Sequence, residues 1–323
     1  MCCWLEREGE EMKAVYLLDN SDRRGLALGD VSMPTAGDGE VLIQVSSAGV
    51  TPTELSWYPT FNTKDGQPRV HAIPGHEFSG VIAALGKGVI GFSVGDEVYG
   101  MNDWFAQGAT AEYCVAVPSG IAAKPASLSH HEAATVPIGA LTAWQGLVDK
   151  AKLQGGERVL VHGNAGAVGA FVVRIAKLQG AYVIATATGS NIEFVKSLGA
   201  DEVIDYKATA FEQSVANVDI VFDAVGGETL QQSWKLLGPN GRVVTIAAES
   251  EGASDERIKA AFFIVEPDRE QLEKLSILIN NGALRPFLGG VVSLEDAPVA
   301  YAGRIPRKDG HGKIVVAVTV SEN

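Results

Sequence analysis

A short apolar strand, a glycine-rich turn and a helix follow one another directly, and this arrangement constrains the chain more than any other feature. Residues 159–162 (VLVH) form the apolar run, and residues 163–169 (GNAGAVG) come immediately after it. Apolar side chains then recur at helical spacing at Val168, Phe171, Val172 and Ile175. A strand, turn and helix in this order open a βαβ unit, so the sequence predicts an α/β fold with a doubly wound parallel sheet.

The glycine turn, residues 163–169, has the chemistry of a dinucleotide site. Glycines let the backbone turn sharply and approach a pyrophosphate closely, while the N–H groups at the start of the helix face the anion. A turn that serves only packing is the alternative. The predicted pyrophosphate contacts are Gly163, Ala165, Gly166, Ala167 and Val168.

The residues after the second strand of this unit indicate which dinucleotide binds. NAD sites usually carry an acid about 20 residues past the turn, where it binds the ribose 2′-hydroxyl. Here no acid precedes Glu193, and the segment instead offers Thr186, Ser190 and Asn191. Such a site would not repel a 2′-phosphate, so the sequence favours NADPH. Capping of the helix that begins near Asn191 is a second role for these polar residues.

Length, charge and cysteine content limit the class of protein. The 323 residues exceed one ordinary core, which predicts two domains. The net charge of −13 opposes binding to nucleic acid or to an anionic membrane. Three cysteines without CxxC spacing support neither a disulfide scaffold nor a structural zinc module. We therefore expect a cytoplasmic protein that does not cross a membrane.

The pattern of strands changes along the chain. Short β-type runs punctuated by Gly, Pro and Asp occupy residues 13 to 135, whereas strands and helices alternate from about 140. Residues 262–265 are predicted to form a buried strand, and residues 268–280 a helix with Leu272, Leu275 and Ile279 on one face. After Pro286 the sequence becomes β-like again. The predicted domains are 1–137 with 284–323, and 138–283. Residues 1–11 are predicted to be an extension, since Met12 resembles a natural start.

Several segments together resemble the medium-chain dehydrogenase/reductase superfamily, and within it the zinc-independent quinone oxidoreductases and alkenal reductases. The segments are 39–43 (GEVLI), 48–52 (AGVTP), 74–80 (PGHEFSG), 94–98 (VGDEV), 111–113 (AEY), 163–169, 198–201 (LGAD) and 223–227 (DAVGG). The resemblance covers nearly everything from Met12 onward. It implies a GroES-like β-rich catalytic domain built from both chain ends and a Rossmann domain between them.

The same resemblance implies further coenzyme contacts. Tyr206 would lie near the adenosine phosphate, Val225 and Gly226 beside the ribose, and Ile264, Val265 and Thr142 near the nicotinamide. Ile246, at the end of a predicted strand, completes the coenzyme set. Asn191 stands where several relatives have a phosphate-binding lysine. Lys313 is either its substitute or a residue of the final strand.

Residues 75–77 (GHE) resemble the zinc-ligand segment of alcohol dehydrogenases, which makes a zinc centre an alternative for this chain. His76 alone cannot hold a catalytic zinc, which needs three protein ligands. The residues after 48–50 are Thr51, Pro52, Thr53 and Glu54, where the family's first cysteine ligand would stand. No metal is therefore predicted, and His76 with Glu77 is interpreted as a buried polar pair.

Reduction of a conjugated carbonyl or quinone needs hydride delivery and stabilisation of the resulting anion, without a Lewis acid. The predicted activity is therefore NADPH-dependent reduction of quinones or enones, with hydrogen-bond donors chosen among Thr51, Thr53, Tyr58 and Asn102. A flat apolar pocket is the hypothesis for the aromatic residues Trp57, Tyr58, Phe61, Trp104 and Phe105, with ordinary packing or a subunit contact as the alternative. A zinc alcohol dehydrogenase and a non-catalytic NADPH-binding protein stay open as other functions. The predicted assembly is a homodimer or homotetramer.

Overall fold

The computed structural model describes residues 10–18 and 25–318, so residues 1–9 of the predicted extension lie outside the described part. The chain divides into a first unit, residues 1–137 with 267–323, and a second unit, residues 138–266. No helix in the described ranges is long and apolar enough to cross a membrane.

The second boundary of the division lies after Glu266, whereas the sequence analysis placed it after residue 283. The difference is the helix Arg269–Asn280, which packs on the first unit through buried Leu272 and Leu275. The Tyr99 hydroxyl donates a hydrogen bond of 2.7 Å to the Leu272 carbonyl oxygen. The helical period thus predicted the helix and its apolar face, but not which core that face would join.

The described residues form strands and helices in the following order. The strands are β1 Glu11–Leu17, β2 Leu26–Ser32, β3 Val41–Gly49, β4 Glu77–Leu85, β5 Glu97–Met101, β6 Tyr113–Ala116, β7 Ile121–Ala123, β8 Arg158–His162, β9 Tyr182–Ala187, β10 Glu202–Asp205, β11 Val218–Asp223, β12 Leu237–Thr245, β13 Leu288–Ser293 and β14 Lys313–Ala317. The α-helices are α1 Tyr58–Phe61, α2 His130–Ala133, α3 Pro137–Trp144, α4 Gly169–Leu178, α5 Ile192–Ser197, α6 Phe211–Ser214, α7 Gly227–Ser233, α8 Glu256–Ala261, α9 Arg269–Asn280 and α10 Ala297–Tyr301. Short 3₁₀ turns include Pro52–Ser56 and Gly189–Asn191, and a π turn, Gln145–Lys150, continues α3.

The first unit is built on a seven-stranded sheet whose main path runs β13-β14-β3-β4-β5-β7, with β6 paired to β3. A separate hairpin joins β1 and β2. Strand β14, near the end of the chain, is antiparallel to β3, near its beginning, with Val315 opposite Gly49. The buried faces of β3, β4 and β5 supply the core. Both ends of the chain therefore contribute to one sheet, as the predicted domain composition requires.

The second unit is a parallel sheet with the strand order β10-β9-β8-β11-β12. The chain moves outward from β8 in one direction through β9 and β10, and in the other through β11 and β12. This order creates a topological switch point at the carboxyl ends of β8 and β11. The doubly wound parallel sheet predicted from the sequence is confirmed.

One predicted strand of the second unit is wrong. Residues 262–265 were expected to form a buried strand, but only Phe262 makes a single parallel bridge, to Thr245. Ile264 is about half exposed, so this segment is not enclosed on both faces as an inner parallel strand would be. A short apolar run does not distinguish a buried strand from an extended segment beside the sheet edge.

Candidate active site

The glycine turn connects β8 to α4 at the switch point of the second unit. Gly163 has a φ of +80°, a conformation that side-chain-bearing residues rarely adopt. The Gly166 N–H donates to the Gly163 carbonyl at 3.1 Å and closes the turn. The buried Asn164 side chain donates to the carbonyls of Val161, at 3.1 Å, and Thr186, at 3.0 Å. The turn is therefore fixed to both β8 and β9.

The three glycines of the turn differ in what a side chain would meet. A Cβ on Gly169 would collide with the backbone of Gly163 and Asn164, so Gly169 is required for the close approach of α4 to the turn. A Cβ on Gly166 would meet only the Gly163 carbonyl oxygen, at 3.3 Å. Packing within the protein therefore constrains Gly166 less than Gly169, because a small shift of one carbonyl group would admit a methyl group. The space around Gly166 is open to a ligand that approaches the turn from outside.

The N-terminus of α4 suits an anion. The helix has ten residues, and its first turn contains no acidic residue. Val168, at the N-cap position, provides no side-chain hydrogen bond among the described contacts. The first N–H groups of a helix lack partners within the helix and carry a partial positive charge. A pyrophosphate fits this position, so the residues present are compatible with a nicotinamide dinucleotide.

A buried histidine supports the sheet edge below the turn. His162 ends β8, and its Nε2 lies 3.0 Å from the Ser233 hydroxyl, which itself donates to the Thr229 carbonyl at 2.7 Å. Ser233 therefore accepts from an Nε2–H, and the His162 Nδ1 accepts from the Thr186 hydroxyl at 2.8 Å. Burial lowers the pKa of His162 to about 4. The side chain is a neutral structural link between β8, β9 and α7.

Asp223, at the end of β11, shapes the next loop of the same edge. Its carboxylate accepts hydrogen bonds from the N–H groups of Val225, at 3.2 Å, and Gly226, at 3.1 Å, and from the Thr245 hydroxyl at 2.8 Å. Burial raises the pKa of Asp223, and these donors act in the opposite direction. Gly226 has a φ of +81°, which the bend of the loop requires. The loop is therefore set by the scaffold.

The predicted coenzyme residues divide into two groups in the structure. One group lies at or beyond the carboxyl edge with exposed or half-exposed side chains, and its members are Tyr206, Val225, Ile246 and Ile264. Thr142 and Thr186 are instead buried, and their hydroxyls are engaged by the Ile138 carbonyl and by His162. Val265 is also buried. Direct coenzyme contacts by the individual residues stay predictions.

The segment after β9 carries the predicted selectivity for the 2′-phosphate. Ser190 and Asn191 lie in the 3₁₀ turn before α5, and the Asn191 amide donates to the Thr188 hydroxyl at 3.4 Å. Asn191 occupies the N-cap position of α5 but makes no side-chain capping bond among the described contacts. On the adjacent strand, one Asp205 carboxylate oxygen comes within 3.7 Å of where a Cβ of Gly189 would be. Sequence reasoning did not consider this acid.

Sequence reasoning also missed the polar residues that support the edge, namely His162, Asn164, Asp223 and Thr245. A usable signal was present, because His162, Asp223 and Thr245 each end an otherwise apolar strand of a parallel sheet. Polar residues at that position meet along one edge. The register confirms this, since Asp223 lies opposite both His162 and Thr245.

In the first unit the structure brings most of the predicted aromatic residues together. Trp57 and Trp104 make an edge contact with centroids 4.9 Å apart, and Tyr58 and Phe105 a looser one at 6.5 Å. Phe61 is different, because it is buried in a small core with Leu17 and Ala72. For Phe61 the packing alternative is therefore correct.

The four predicted donors of the first unit do not form one group. Thr51, Thr53 and Tyr58 lie in or next to the Pro52–Ser56 turn, with Thr53 and Tyr58 exposed. Asn102 is buried, donates to the Gln107 carbonyl at 3.0 Å, and lines a separate pocket of about 620 Å³ that also includes Cys114. Asn102 is thus the candidate that the structure separates from the other three.

A cluster of buried ionisable side chains lies beside Thr51. We refer to Glu54, His76, Glu77, Tyr301 and Lys313 as the ionic cluster. The Glu54 carboxylate lies 2.6 Å from the His76 Nδ1 and accepts from the Gly75 N–H at 3.1 Å. The Lys313 ammonium contacts the Glu77 carboxylate and lies 3.2 Å from the Thr51 hydroxyl. The sequence predicted the burial of His76 and Glu77, but not their partners.

The chain is similar in sequence and structure to several oxidoreductases. A probable zinc-binding oxidoreductase of Arthroderma benhamiae is 32% identical over 88% of this chain and 90% of the relative. The chain belongs to the medium-chain dehydrogenase/reductase superfamily, in its quinone oxidoreductase-like branch. The resemblance inferred from the motifs is thereby confirmed.

Other members of this superfamily support the same placement. The quinone oxidoreductase of Coxiella burnetii has a solved structure that superimposes with a TM-score of 0.84 at 30% identity, covering 96% of this chain and all of that one. A 2-methylene-furan-3-one reductase of tomato, Solanum lycopersicum, is 32% identical over 86% of this chain and 71% of the relative. Family models for an alcohol dehydrogenase GroES-like domain and for a zinc-binding dehydrogenase match residues 37–138 and 198–316.

Because part of this superfamily binds zinc, the ionic cluster must be tested as a metal site. A catalytic zinc needs three protein ligands and an open position. Both ring nitrogens of His76 are already engaged, Nδ1 by Glu54 and Nε2 by the Ala106 carbonyl at 3.2 Å. The Glu77 carboxylate is engaged by Lys313. Within residues 10–18 and 25–318 no group of three or more His, Cys, Asp or Glu side chains is placed to hold a metal ion, so the residues do not fit zinc.

Proposed function

We propose that this oxidoreductase uses NADPH to reduce quinones or α,β-unsaturated carbonyl compounds by hydride transfer, without zinc. The observation that carries the proposal is the glycine turn before α4, where a side chain at Gly166 would meet a single protein atom and the remaining space can admit a pyrophosphate. When bound, the coenzyme would supply a hydride. The chain itself would hold the pyrophosphate at the N-terminus of α4 and donate hydrogen bonds to the substrate.

Reduction of a conjugated carbonyl is favoured over alcohol oxidation on chemical grounds. Thr51, beside the Lys313 ammonium of the ionic cluster, offers a hydroxyl that can donate to a developing oxyanion but cannot replace a Lewis acid toward an alkoxide. The relatives named above are described as reducing a quinone and 2-methylene-furan-3-one. Both are conjugated carbonyl compounds. A zinc alcohol dehydrogenase is the less favoured function, because His76 and Glu77 are occupied by other partners.

A turnover assay tests this function directly. The purified chain is mixed with NADPH and a panel of benzoquinones, naphthoquinones and alkenals, and coenzyme oxidation is followed at 340 nm. We expect turnover with at least one compound class, unchanged by prior dialysis against a chelator. A lack of turnover with every compound overturns the reductase function, and chelator-sensitive activity restored by zinc overturns the metal-free mechanism.

The variant Gly166→Ala tests the coenzyme site separately from the fold. Its Cβ meets only one carbonyl oxygen inside the protein, so we expect normal folding. The added methyl occupies the space through which a pyrophosphate would approach, so the Kd for NADPH should rise about tenfold or more, which corresponds to about 1.4 kcal/mol. Quenching of tryptophan fluorescence measures the Kd. An unchanged Kd would show that the turn serves only packing.

Coenzyme selectivity is proposed to favour NADPH over NADH, because Thr188 and Asn191 offer hydrogen-bond donors where a carboxylate would select NADH. Asp205 is the nearby acid that opposes this preference. We therefore expect Asp205→Asn to tighten NADPH binding more than NADH binding. Titration of both coenzymes against the variant measures the ratio, and a ratio that shifts toward NADH would overturn the proposed selectivity.

Location and assembly complete the proposal. We propose a cytoplasmic protein that forms a homodimer or homotetramer. Cell fractionation and light scattering of the purified chain test the two statements. A compartment-bound or strictly monomeric protein would overturn them without affecting the proposed chemistry.

A further inference from the structure

The ionic cluster is assembled by the register of three neighbouring strands. In the order β14-β3-β4, the Val50 N–H donates to the Ile314 carbonyl at 3.0 Å, and Ala48 lies opposite Phe78. Continuing both registers by one residue places Lys313 across from Thr51 and Glu77 across from Gly49. Side chains at alternate positions share one face of a sheet. Lys313, Thr51 and Glu77 therefore point to the same side.

Gly49 makes the contact between Lys313 and Glu77 possible. A Cβ at this position would lie only 2.5–2.7 Å from side-chain atoms of Glu77, so the Glu77 carboxyl occupies the space that another residue would fill. The Lys313 side chain reaches across β3 to this carboxylate. The missing side chain at Gly49 thus leaves the room in which the buried Glu77 carboxylate meets the Lys313 ammonium.

The groups around Lys313 come from every element packed against it. Glu77 and Thr51 touch its ammonium, and Glu54 acts on it through its charge. The Tyr301 hydroxyl lies 2.9 Å from the Thr110 hydroxyl. Burial and the charge of Glu54 raise the pKa of Tyr301. The His76 ring has an oxygen atom next to each nitrogen, Glu54 at Nδ1 and the Ala106 carbonyl at Nε2. Lys313, Glu77, Glu54 and His76 are therefore packed in one buried group of polar contacts.

Thr51 connects this buried cluster to the partly exposed side of the unit. Lys313, Glu54, Glu77, His76 and Tyr301 are all nine-tenths or more buried, whereas Thr51 is of intermediate exposure. Its hydroxyl accepts from the Lys313 ammonium and keeps its own hydrogen to donate outward. A proton held at Lys313 is therefore separated from the less buried side of the unit by one hydroxyl group.

We propose that Lys313 supplies, through the Thr51 hydroxyl, the proton that completes reduction of the carbonyl substrate. This inference rests on the proposed function and adds the proton source that hydride transfer alone leaves open. In this role Thr51 contacts the substrate oxygen, while Lys313 acts through Thr51 as a buried proton source.

The step balances in atoms and charge. Hydride and its electron pair form a new C–H bond on the substrate, the coenzyme is oxidised, and the substrate oxygen becomes an anion. The Thr51 O–H bond then breaks as an O–H bond forms on the substrate, and a Lys313 N–H bond breaks as the Thr51 hydroxyl is restored. Water returns the proton to the Lys313 amine through Thr51 after the product leaves. The sum is substrate, NADPH and one proton going to reduced product and NADP⁺.

The electrostatics agree with this role. Burial lowers the pKa of Lys313 to about 7, while the charge of Glu54 and the contact with the Glu77 carboxylate act in the opposite direction. A proton donor is most effective when its pKa lies near the working pH, because it is then largely protonated and is also acidic enough to release the proton. An ordinary surface lysine would hold its proton too tightly.

The first test removes the relay hydroxyl. Thr51→Val keeps the shape and leaves the Lys313 contact with Glu77 in place, and Thr135→Val is the matched control, because it removes another buried hydroxyl of the first unit that bonds a local carbonyl. We expect Thr51→Val to lower kcat about tenfold to a hundredfold with an unchanged Kd for NADPH, and the control to leave kcat within about twofold. A kcat for Thr51→Val equal to that of the control overturns the relay.

The pH profile provides a measurement that a merely structural role would not change. In the unaltered chain kcat should fall as the pH rises through about 7, because the protonated form of Lys313 is the donor. In Thr51→Val this fall should disappear, since solvent then supplies the proton. A fall near pH 7 that persists in Thr51→Val overturns the assignment to Lys313.

The second test removes the proton source while keeping the cluster neutral. Lys313→Met combined with Glu77→Gln removes one positive and one negative charge, so the double variant should fold and bind NADPH. We expect its kcat to fall as far as that of Thr51→Val, and adding Thr51→Val should cost no further activity, because both changes interrupt one route. If the losses in kcat multiply, or if the double variant keeps full activity, the proton route is overturned and the proposed function stands. If the unaltered chain reduces no quinone or enone, the proposed function fails and the route with it.

Discussion

The glycine turn of the second unit and the ionic cluster of the first unit achieve polar burial in opposite ways. In the turn, backbone N–H groups would bind the anion and the Asn164 side chain only holds the backbone in place, as Asp223 does for the neighbouring loop after β11. In the ionic cluster, charged side chains from segments far apart in sequence neutralise one another in the interior. The first arrangement depends on local sequence, whereas the second depends on strand register between the two ends of the chain. The two should therefore fail in different ways when altered.

The largest effect is expected from removing the cation of the ionic cluster alone. Lys313→Met leaves Glu77 buried without its partner, which should cost about 3–5 kcal/mol of stability. Urea unfolding followed by circular dichroism measures the loss. Lys13→Met is the control, since it breaks an exposed pair with Asp30 and should leave the unfolding midpoint nearly unchanged. A small loss for Lys313→Met would show that the cluster relaxes or admits water.

The second unit should lose stability in acid through His162. Its pKa is about 4 in the folded chain against 6.5 for an ordinary histidine, so the unfolded chain binds the proton more readily. The stabilising contribution is complete above pH 6.5 and is lost as the pH falls toward 4, by about 3 kcal/mol at most. Unfolding midpoints measured between pH 7 and pH 4 test this, with His162→Gln as the comparison. An equally steep acid dependence in His162→Gln would assign the effect to other groups.

A side chain at the third glycine of the turn should act on folding more than on binding. Gly169→Ala places a methyl against the backbone of Gly163 and Asn164, which cannot move as a flexible side chain would. Overpacking of this kind typically costs about 1–3 kcal/mol. Gly166→Ala should leave the same unfolding midpoint unchanged. Equal midpoints for the two variants would remove the distinction between a packing glycine and a binding glycine.

The smallest effect is expected from Thr186→Val. The hydroxyl of Thr186 donates to His162, so its removal should cost about 1 kcal/mol of stability. Because that hydroxyl is already engaged, the Kd for NADPH should stay within about twofold of the unaltered value. A large change in Kd with unchanged stability would restore Thr186 as a direct coenzyme contact, as the sequence analysis predicted.

The contrast between the two regions also explains what the sequence could predict. Gly163, Gly166 and Gly169 lie within seven consecutive residues, so the turn and the parallel sheet could be inferred from local pattern and chain order. Lys313 and Glu77 meet only because β14 lies beside β3, and no local pattern records that pairing. The predicted strand at 262–265 failed for the same reason, since burial there depends on the packing of distant residues.

Asn102 shows a further limit of inference from residue type. It was grouped with Thr51 because both can donate hydrogen bonds and both belong to the β-rich part of the chain. In the structure the Asn102 amide donates to the Gln107 carbonyl and lines a pocket that does not include Thr51. The ability to donate a hydrogen bond identifies candidate residues. The direction and the burial of each side chain then decide between those candidates.

The position of β14 in the sheet gives the two units different histories during synthesis. Glu54 emerges from the ribosome close to its partner His76, but Glu77 emerges long before Lys313, so for most of translation the chain lacks the cation that contacts Glu77 in the folded protein. All five strands of the parallel sheet, by contrast, come from one continuous stretch and can be complete while the end of the chain is still unmade. Strand β14, which is synthesised last, therefore completes the unit whose synthesis begins first.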